Sequence, residues 1–269
     1  MTIRHQLLES LESRYAAPPV PRVTRVVGPP GGSTERLSPF TVVVLTNGAA
    51  GLCWNLLEDD QTRLDYDRLD LASYKGRQAL EVAGELLHPA LAHRLVGYAA
   101  CSALSQVLFA AGDPAVGTTA ELTEIIAPTS DDRVGVVGHS PPLVKELAAR
   151  AGRVTVLERQ SRKPVADNVE LPDDVTTLAS CNKVVLSSTT LLDDSFEQID
   201  RITAGAAFRA LYGPGAGILP DALFDRGFHA IAGTLVLDGA TLAERQRTGQ
   251  KWGDAKQKFV LTRQPSPKR

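Results

Sequence analysis

One segment near the middle of the chain constrains the fold more than any other. Residues 134–137 form a continuous apolar run that ends at Gly138, and a second apolar run covers residues 154–157. Between them, Leu143 to Ala151 carry apolar side chains at helical spacing, and Pro141 stands at the predicted helix start. An apolar strand, a helix and a second apolar strand are typical of a parallel β-α-β unit. The segment therefore predicts a parallel sheet.

The residues that follow continue this alternation of strands and helices. Strand candidates lie at residues 183–186, 206–212 and 231–237, helical stretches at 194–202 and 219–226, and a final edge strand at 258–262. Almost wholly apolar strands that alternate with helices favour an α/β fold with a Rossmann-like, doubly wound parallel sheet.

The first half of the chain has strands before helices. A short helix around Leu7–Leu11 precedes three strand-like runs at residues 22–27, 40–46 and 51–57. Asn47-Gly48, between the last two runs, is a strong hairpin signal. Helical patterns then cover residues 77–87 and 89–111, and the uncharged part of the second is shorter than the ~20 apolar residues of a membrane span. This order predicts an α+β domain.

Charge also divides the chain into two parts. Residues 1–124 contain 10 Lys and Arg against 14 Asp and Glu, whereas the remainder contains 19 against 17. The change falls close to Ala127-Pro128-Thr129-Ser130, whose composition is typical of a linker. We therefore predict two domains, residues 1–127 with the α+β pattern and residues 128–269 with the parallel sheet.

The composition excludes several classes of protein. With 29 Lys and Arg against 31 Asp and Glu, the net charge of −2 is unlike that of proteins that bind nucleic acids or membrane surfaces. The three cysteines, Cys53, Cys101 and Cys181, are too widely spaced for a disulfide framework or a zinc ribbon. The first residues contain no apolar signal-peptide segment, so we expect a cytoplasmic protein. The expected partners are a small-molecule substrate and a second copy of the chain in a homodimer.

The turn after the first apolar strand is the first candidate ligand site. Gly138 at the strand end, a helix start at Ser140 and Glu158 after the second strand follow the order found in nucleoside-binding sites. Pro141 and Pro142 lack the N–H groups that hold a pyrophosphate, which disfavours dinucleotides and leaves an adenosyl ligand such as S-adenosylmethionine. The alternative is that Gly138 only makes a turn and Glu158 is a surface acid.

Gly138-His139-Ser140 also has features of the nucleophile elbow of serine hydrolases. Pro142 stands where that motif has its second glycine, and Pro141 cannot donate the N–H that an oxyanion hole needs. Ser140 is therefore interpreted as a helix cap. Histidine titrates near neutrality, so His139 at the carboxyl end of the strand is the predicted acid or base.

The ends of two further strands contribute candidates to the same edge of the sheet. Ser188 and Thr189 follow one strand, Asp193 comes shortly after them, and Gly213-Pro214 follow the next strand. Because the carboxyl ends of parallel strands meet, we expect these residues to face one crevice. The alternatives are that Asp193 caps a helix and that the Gly213 loop is a plain turn.

No metal site is predicted from the spacing of ligand residues. His88 and His93 are five residues apart and so miss the i, i+4 face of a helix, while His139 and His229 are isolated in the sequence. We interpret most of the histidines as structural side chains.

Several stretches of the second half, in their order along the chain, resemble the putative heavy-metal chelation family. They are residues 134–144 (VGVVGHSPPLV), 156–159 (VLER), 188–195 (STTLLDDS), 211–216 (LYGPGA) and the run from Phe224 to Thr234. The resemblance implies a Rossmann-like domain preceded by a domain similar to the N-terminal domain of enolase. It also implies a site in the cleft between the domains, with suggested roles around pterin, flavin or siderophore-like molecules.

The chain departs from the family pattern at several polar positions. The family tends to have Asn and Thr where this chain has Asp193 and Ser195, a serine in place of Gly215, and an asparagine in place of Ser102. These departures in the expected cleft argue against a substrate shared with the family.

Two functional hypotheses follow. In the first, the chain is an enzyme of transferase or condensation type that binds S-adenosylmethionine or another adenosyl ligand in the cleft. Its predicted cofactor-binding residues are Gly138, Ser140, Glu158, Arg159, Ser188, Thr189, Gly213 and Pro214, and its predicted catalytic residues are His139 and Asp193. In the second, the chain binds a metal or a metal chelate without turnover. An inactive scaffold that binds a partner is a third interpretation.

Overall fold

The described residues form two sheets, each covered by helices. The structure, a computed structural model, describes residues 1–17, 19–30, 39–57, 59–114, 116, 121–138, 140–159 and 163–263. The elements of the first part are α1 (Ile3–Arg14), β1 (Val23–Val27), β2 (Phe40–Leu45), β3 (Ala50–Trp54), α2 (Asp60–Asp67), α3 (Ala79–Ala83), α4 (Leu91–Ala110) and α5 (Leu122–Ile126). Those of the second part are β4 (Arg133–Val137), α6 (Pro141–Ala148), β5 (Arg153–Leu157), β6 (Val169–Glu170), β7 (Lys183–Ser187), α7 (Phe196–Ile202), β8 (Phe208–Tyr212), α8 (Asp221–Asp225), β9 (Ala230–Val236), α9 (Gly239–Arg247) and β10 (Lys256–Thr262).

The smaller sheet is an antiparallel meander in the order β1-β2-β3. The hairpin between β2 and β3 turns at Asn47-Gly48, where Gly48 has a φ of +84°, as the sequence predicts. α4 packs against one face of this sheet, and α9 packs against the other face. All six residues of β2 are buried because both faces are covered.

The larger sheet has the order β10-β9-β8-β7-β4-β5-β6. Its strands are parallel except for β10, which runs antiparallel to β9. Alternate side chains of each strand enter two different cores. Val134 and Val136 pack with α6, whereas Leu186 and Leu211 belong to a core that also contains residues of α1 and α4.

The fold class predicted from the sequence is confirmed: an antiparallel α+β part is followed by a doubly wound parallel sheet. Within the described residues, no helix combines the length and the apolar character needed to cross a lipid bilayer. The helix predicted at residues 77–87 is interrupted, however. α3 gives way to a 3₁₀ helix at Gly84–Leu87, which lies so close to α4 that a Cβ on Gly97 would be 2.2 Å from the Leu86 nitrogen.

Candidate functional site

The strand order of the larger sheet creates a crevice at its carboxyl edge. The chain continues from β4 to β5 and β6 on one side, and then returns to β7 on the other side of β4. The loops that leave β4 and β7 therefore diverge, and ligands of open α/β sheets bind at such a point. The predicted site residues follow β4, β5, β7 and β8, so the fold brings them to this one edge.

Gly138 follows β4 in a conformation that favours glycine. Its φ is +85°, and a Cβ placed on it would lie 2.8 Å from the Cβ of Ser187 at the end of β7. Its N–H donates to the carbonyl of Leu157 over 2.9 Å, which joins the carboxyl ends of β4 and β5. Only glycine fits this turn without strain. His139, the predicted acid or base, lies outside the described residues.

Ser140 is the N-cap residue of α6, but its side chain does not cap the helix. Its hydroxyl lies instead 3.3 Å from the phenol oxygen of Tyr212, at the end of β8. A capping side chain usually accepts a hydrogen bond from the N–H of the second or the third residue of the helix. Pro141 and Pro142 begin this helix and have no N–H, so the second residue cannot donate. The predicted position is thus correct, whereas the predicted side-chain cap is wrong. Because β7 lies between β4 and β8, the Ser140–Tyr212 contact crosses the carboxyl end of β7.

An ion pair between Arg159 and Asp193 crosses the carboxyl end of β4. Arg159 follows β5 and Asp193 follows β7, and a guanidinium nitrogen of the first contacts a carboxylate oxygen of the second. Because β4 lies between these strands, the pair spans the point where the loops diverge. The other oxygen of Asp193 accepts hydrogen bonds from the N–H and the hydroxyl of Ser195. The fold thus joins two predicted site residues that are 34 positions apart in the sequence.

The loops after β7 and β8 pack against each other. Ser188 is buried, and its hydroxyl would lie 3.1 Å from a Cβ placed on Gly213, whose φ is +132°. The hydroxyl of Thr189 bonds that of Ser187 over 2.9 Å. Thr189 is partly exposed and Pro214 is exposed. Ser188 therefore supports the loops, whereas Thr189 and Pro214 have surface that a ligand can reach.

Two arginines of the first part of the chain reach the same edge, and sequence reasoning missed both. Arg4 of α1 donates to the carbonyl of Leu192 over 3.0 Å and to the carboxylate of Asp194 over 2.6 Å. Burial and then the charge of Arg4 lower the pKa of Arg94, while the charges of Asp194 and Asp193 raise it. Arg94 is the only Lys, Arg, Asp or Glu in α4, and this isolated charge is the signal that could have identified it.

Tyr98 and Ser102 of α4 hold the loop that follows β8. Tyr98 is fully buried and donates to the carbonyl of Gly215 over 2.9 Å, and Ser102 donates to the carbonyl of Gly217 over 3.0 Å. Burial raises the pKa of Tyr98 well above its ordinary value, so the phenol keeps its proton and remains a donor. Ser102, which stands where the family tends to have asparagine, therefore lies in the packed interface between the two parts of the chain.

The crevice presents hydroxyls, carboxylates and a guanidinium. The side chains that carry them are Ser140, Thr189, Tyr212, Glu158, Asp193 and Arg159, and Glu158 is partly buried directly after β5. Among the described residues, three His, Cys, Asp or Glu side chains come together with metal-ligand spacing only at Glu85, His88 and His93. A metal ion held in the crevice by these described side chains would need further ligands from a chelating molecule.

Two family models match the chain, and both carry the description "Putative heavy-metal chelation". The first covers residues 121–263 and the second covers residues 38–105. A comparison with curated proteins gave no match.

Two solved structures share the fold over nearly the whole chain. One is a DUF364-family protein of unknown function from Desulfitobacterium hafniense, with a TM-score of 0.74 and 20% identity over 96% of this chain and 99% of its own. The other, from the same family in Pyrococcus horikoshii, has a TM-score of 0.72 and 18% identity over 97% and 98%. Such identities show the fold alone. The first family model, however, covers more than half of the sequence and confirms the resemblance, so the chain belongs to the family described as "Putative heavy-metal chelation".

Proposed function

We propose that the chain binds a small metal-chelating molecule, together with its metal ion, in the crevice at the carboxyl ends of β4 and β7. The observation that carries this proposal is the Arg159–Asp193 ion pair across the end of β4. The family description supports a metal-related ligand. The described carboxylates and hydroxyls of the crevice suit a ligand that brings several metal-binding atoms of its own.

Arg159 is the group that recognises such a ligand. Chelators commonly present carboxylates, and a guanidinium binds a carboxylate through two parallel hydrogen bonds. The Arg159 side chain is 57% exposed, so a ligand can reach it and replace Asp193 as its partner. Asp193 then keeps its hydrogen bond from the N–H of Ser195, at 2.9 Å. The hydroxyls of Ser140 and Tyr212, which lie 3.3 Å apart across the carboxyl end of β7, are the proposed contacts for the remaining oxygens of the ligand.

Calorimetry with the Ni²⁺–citrate complex, and with citrate alone, tests the proposal. Arg159→Gln is expected to weaken binding of the complex about tenfold or more, since a hydrogen bond to a charged group contributes about 1.5–3 kcal/mol. Arg153→Gln is the matched control, because Arg153 is a similarly exposed residue of β5 that pairs with Glu170 over 3.1 Å. The proposal fails if the complex gives no heat, or if the two variants bind it equally well.

An adenosyl ligand is the second candidate, and the end of β5 favours it. Glu158 stands where the acid of nucleoside sites accepts hydrogen bonds from ribose, and Gly138 adopts the left-handed turn that lets a backbone approach a ligand. The helix that follows begins with two prolines, so it suits a ligand without a pyrophosphate. In this candidate, His139 and Asp193 remain the proposed acid or base residues.

S-adenosylmethionine and S-adenosylhomocysteine are the probes for this second candidate. Glu158→Gln is expected to weaken binding of both compounds by a similar factor, because both carry the same ribose. Absence of heat with either compound would exclude the adenosyl ligand and leave the chelate as the remaining candidate.

A further inference from the structure

A cluster of metal-ligating side chains lies where the 3₁₀ helix at Gly84–Leu87 meets α4. Glu85 belongs to the 3₁₀ helix, His88 is the residue that ends it, and His93 lies in the first turn of α4. One ligand atom from each of these residues lies within 4.8 Å of the others. We propose that the Glu85–His88–His93 cluster binds a first-row divalent cation such as Zn²⁺. None of its three residues belongs to the set that lines the crevice, and the proposal does not depend on the function proposed for the crevice.

The donor set of the cluster suits this class of cation. Two imidazoles and one carboxylate form a common set of three protein ligands for zinc, in which water or another molecule takes the remaining position. Imidazole also suits Ni²⁺, Cu²⁺ and Fe²⁺, whereas Ca²⁺ and Mg²⁺ prefer oxygen ligands alone. The cluster should therefore discriminate against Ca²⁺ and Mg²⁺.

Glu85 and His93 already have nearly the separation of two adjacent ligands of one metal ion. Oε2 of Glu85 lies 3.0 Å from Nδ1 of His93. Two ligand atoms that are each ~2.1 Å from one tetrahedral metal ion lie about 3.4 Å apart, so these two atoms have to separate by only about 0.4 Å to hold one. A cation next to this pair would replace the hydrogen bond between them, together with the contact of the Tyr74 hydroxyl, which lies 3.4 Å from the same nitrogen.

His88 completes the set by turning its ring. In the structure its imidazole stacks on that of His93, with ring centroids 3.9 Å apart and planes 23° from parallel. A metal ion lies in the plane of an imidazole that binds it, so two stacked rings cannot both bind one ion. His88 is partly exposed and so has room to rotate. The Nδ1 of His88 accepts a hydrogen bond from the N–H of Ala90 over 3.0 Å, and rotation of the ring would break this bond.

The charged neighbours of the cluster are Arg77 and Arg94. Arg94 donates to the backbone carbonyls of His88 and Pro89, over 3.4 Å and 3.1 Å, and these carbonyls are not the proposed metal ligands. Arg77 lies 3.4 Å from Glu85, but it also pairs with Glu81 over 3.0 Å and so keeps a partner when Glu85 turns to a metal ion. The side chains of Glu85 and His93 are 17% and 31% exposed. An ion can therefore enter from solvent, while partial burial strengthens its attraction to the carboxylate.

Calorimetric titration of the untagged protein with Zn²⁺ tests the proposal. The wild-type protein is expected to bind one ion in this cluster, and His88→Gln, His93→Gln and Glu85→Gln are each expected to weaken that binding at least tenfold. Glu81→Gln is the matched control, because it removes a contact to the same arginine but no metal ligand. His5→Gln removes an exposed histidine outside the cluster. Both controls should bind Zn²⁺ as the wild type does.

The amide of Ala90 provides a readout that a general loss of structure would not give. Zn²⁺ should speed its hydrogen exchange in the wild type and leave it unchanged in His88→Gln, provided that the variant has the wild-type circular dichroism spectrum. The proposal is overturned if Zn²⁺ does not bind, if the double variant His88→Gln/His93→Gln binds it as tightly as the wild type, or if the Ala90 amide does not respond. Arg159→Gln should leave Zn²⁺ binding unchanged, which separates this test from that of the crevice.

Discussion

Gly51 determines how closely the smaller sheet approaches α4. A Cβ at this position would lie 2.0 Å from the backbone nitrogen of Ala103 and 2.3 Å from the carbonyl oxygen of Ala99. Both atoms belong to the backbone of α4, so neither can move aside as the end of a flexible side chain could. The small side chains of Ala99 and Ala103 allow this close contact.

Gly51→Ala is therefore expected to destabilise the protein by about 3 kcal/mol, because the helix and the strand would have to separate. Gly84→Ala is the control, since that glycine has a helical φ and a Cβ there would meet no atom within 4 Å. It should leave stability unchanged or raise it by about 0.5 kcal/mol. Urea unfolding measures both free energies, and equal losses in the two variants would refute the packing argument.

The carboxylate of Asp132, the residue before β4, connects the start of β4 to the turn that precedes it and to the start of β7. It accepts hydrogen bonds from the Thr129 N–H and from Asn182, both over 2.7 Å, and it pairs with Lys183 over 3.0 Å. Burial raises the pKa of this carboxyl, but the hydrogen bonds from Thr129, Lys183 and Asn182 outweigh burial and lower the pKa to about 2. The charged form is therefore part of the folded structure.

This lowered pKa predicts how stability depends on pH. A carboxyl whose folded-state pKa lies below its unfolded value of ~3.9 stabilises the folded state above that pH, and the stabilisation is lost as the pH falls from about 4 to about 2. Over that range, the wild type should lose about 2 kcal/mol more than Asp132→Asn. Urea unfolding at pH 5 and at pH 2 measures the difference. The same pH dependence in both proteins would show that Asp132 does not contribute it.

At the scale of elements, α4 joins the two parts through one polar face. Beyond Tyr98 and Ser102, this face continues with Ser105, which accepts the N–H of Leu219 over 3.0 Å. Gln106 donates to the carbonyl of Thr234 over 3.1 Å, and its amide oxygen accepts the N–H of Val236 over 2.9 Å. These side chains satisfy the backbone groups of β9 and of the loop after β8, so the helix lies against the second part of the chain.

Gln106→Leu keeps the size of the side chain but removes both of its hydrogen bonds to β9. We expect a loss of about 2–4 kcal/mol, because a carbonyl and an N–H would remain unpaired beside a buried helix. Gln61→Leu in α2 is the matched control, since exposed Gln61 donates to Asp65 of the same helix over 2.8 Å and its replacement should change stability by less than ~0.5 kcal/mol. Thermal and urea unfolding of both variants provide the test. A Gln106→Leu protein as stable as the control would contradict the role of this face.

Hydrophobic periodicity predicts the elements that bury many apolar side chains and misses those that bury few. The strands of the parallel sheet and the long helix α4 can be predicted from the sequence. In the strands alternate residues face a core, and in α4 nearly every turn contributes a buried apolar side chain. α2 buries only Tyr66, and α9 buries Leu242 and Ala243 with two other residues, so neither gives a clear pattern. Their positions depend on contacts with sheets that are distant in the sequence.

The residues of the candidate site also fall into those that can be predicted from the sequence and those that cannot. Gly138, Glu158 and the other strand-end residues are predictable because parallel strands place their carboxyl ends together. The Arg159–Asp193 pair is not predictable, because it depends on which strand lies between β5 and β7. Spacing rules also fail for His88 and His93, since such rules apply within one helix and these residues belong to two elements.

At the scale of the whole molecule, the two parts of the chain cover each other's sheets. α9 comes from the second part but packs on the outer face of the β1-β2-β3 sheet, where Trp252 contacts Phe40 with ring centroids 4.6 Å apart. α1 comes from the first part but packs against α8, and its Arg14 binds Asp221 over 2.8 Å. The predicted domain boundary between residues 127 and 128 stays a prediction. Helices from each side of it pack against elements of the other side.

This interlocking predicts a single cooperative unfolding transition for the whole chain. Without residues 1–127, Leu186, Leu211 and Ile231 would lose the shared core that α4 covers, and α9 would lose its sheet. Each buried leucine or isoleucine contributes about 1.5–3 kcal/mol, so exposing several of them removes a large part of the ~5–15 kcal/mol that stabilises a typical domain. We therefore expect residues 128–269 alone to lack a fixed tertiary structure.

Trp54 and Trp252 allow this prediction to be measured in the intact chain, because both contact Phe40 in the smaller sheet. Their fluorescence reports on the smaller sheet and its α9 cover, whereas far-ultraviolet circular dichroism reports on all helices and strands. Coincident urea transitions by the two methods are expected. Two separate transitions, or a dispersed amide NMR spectrum from residues 128–269 alone, would show instead that the boundary separates independently folding domains and that the crevice needs no support from α1 and α4.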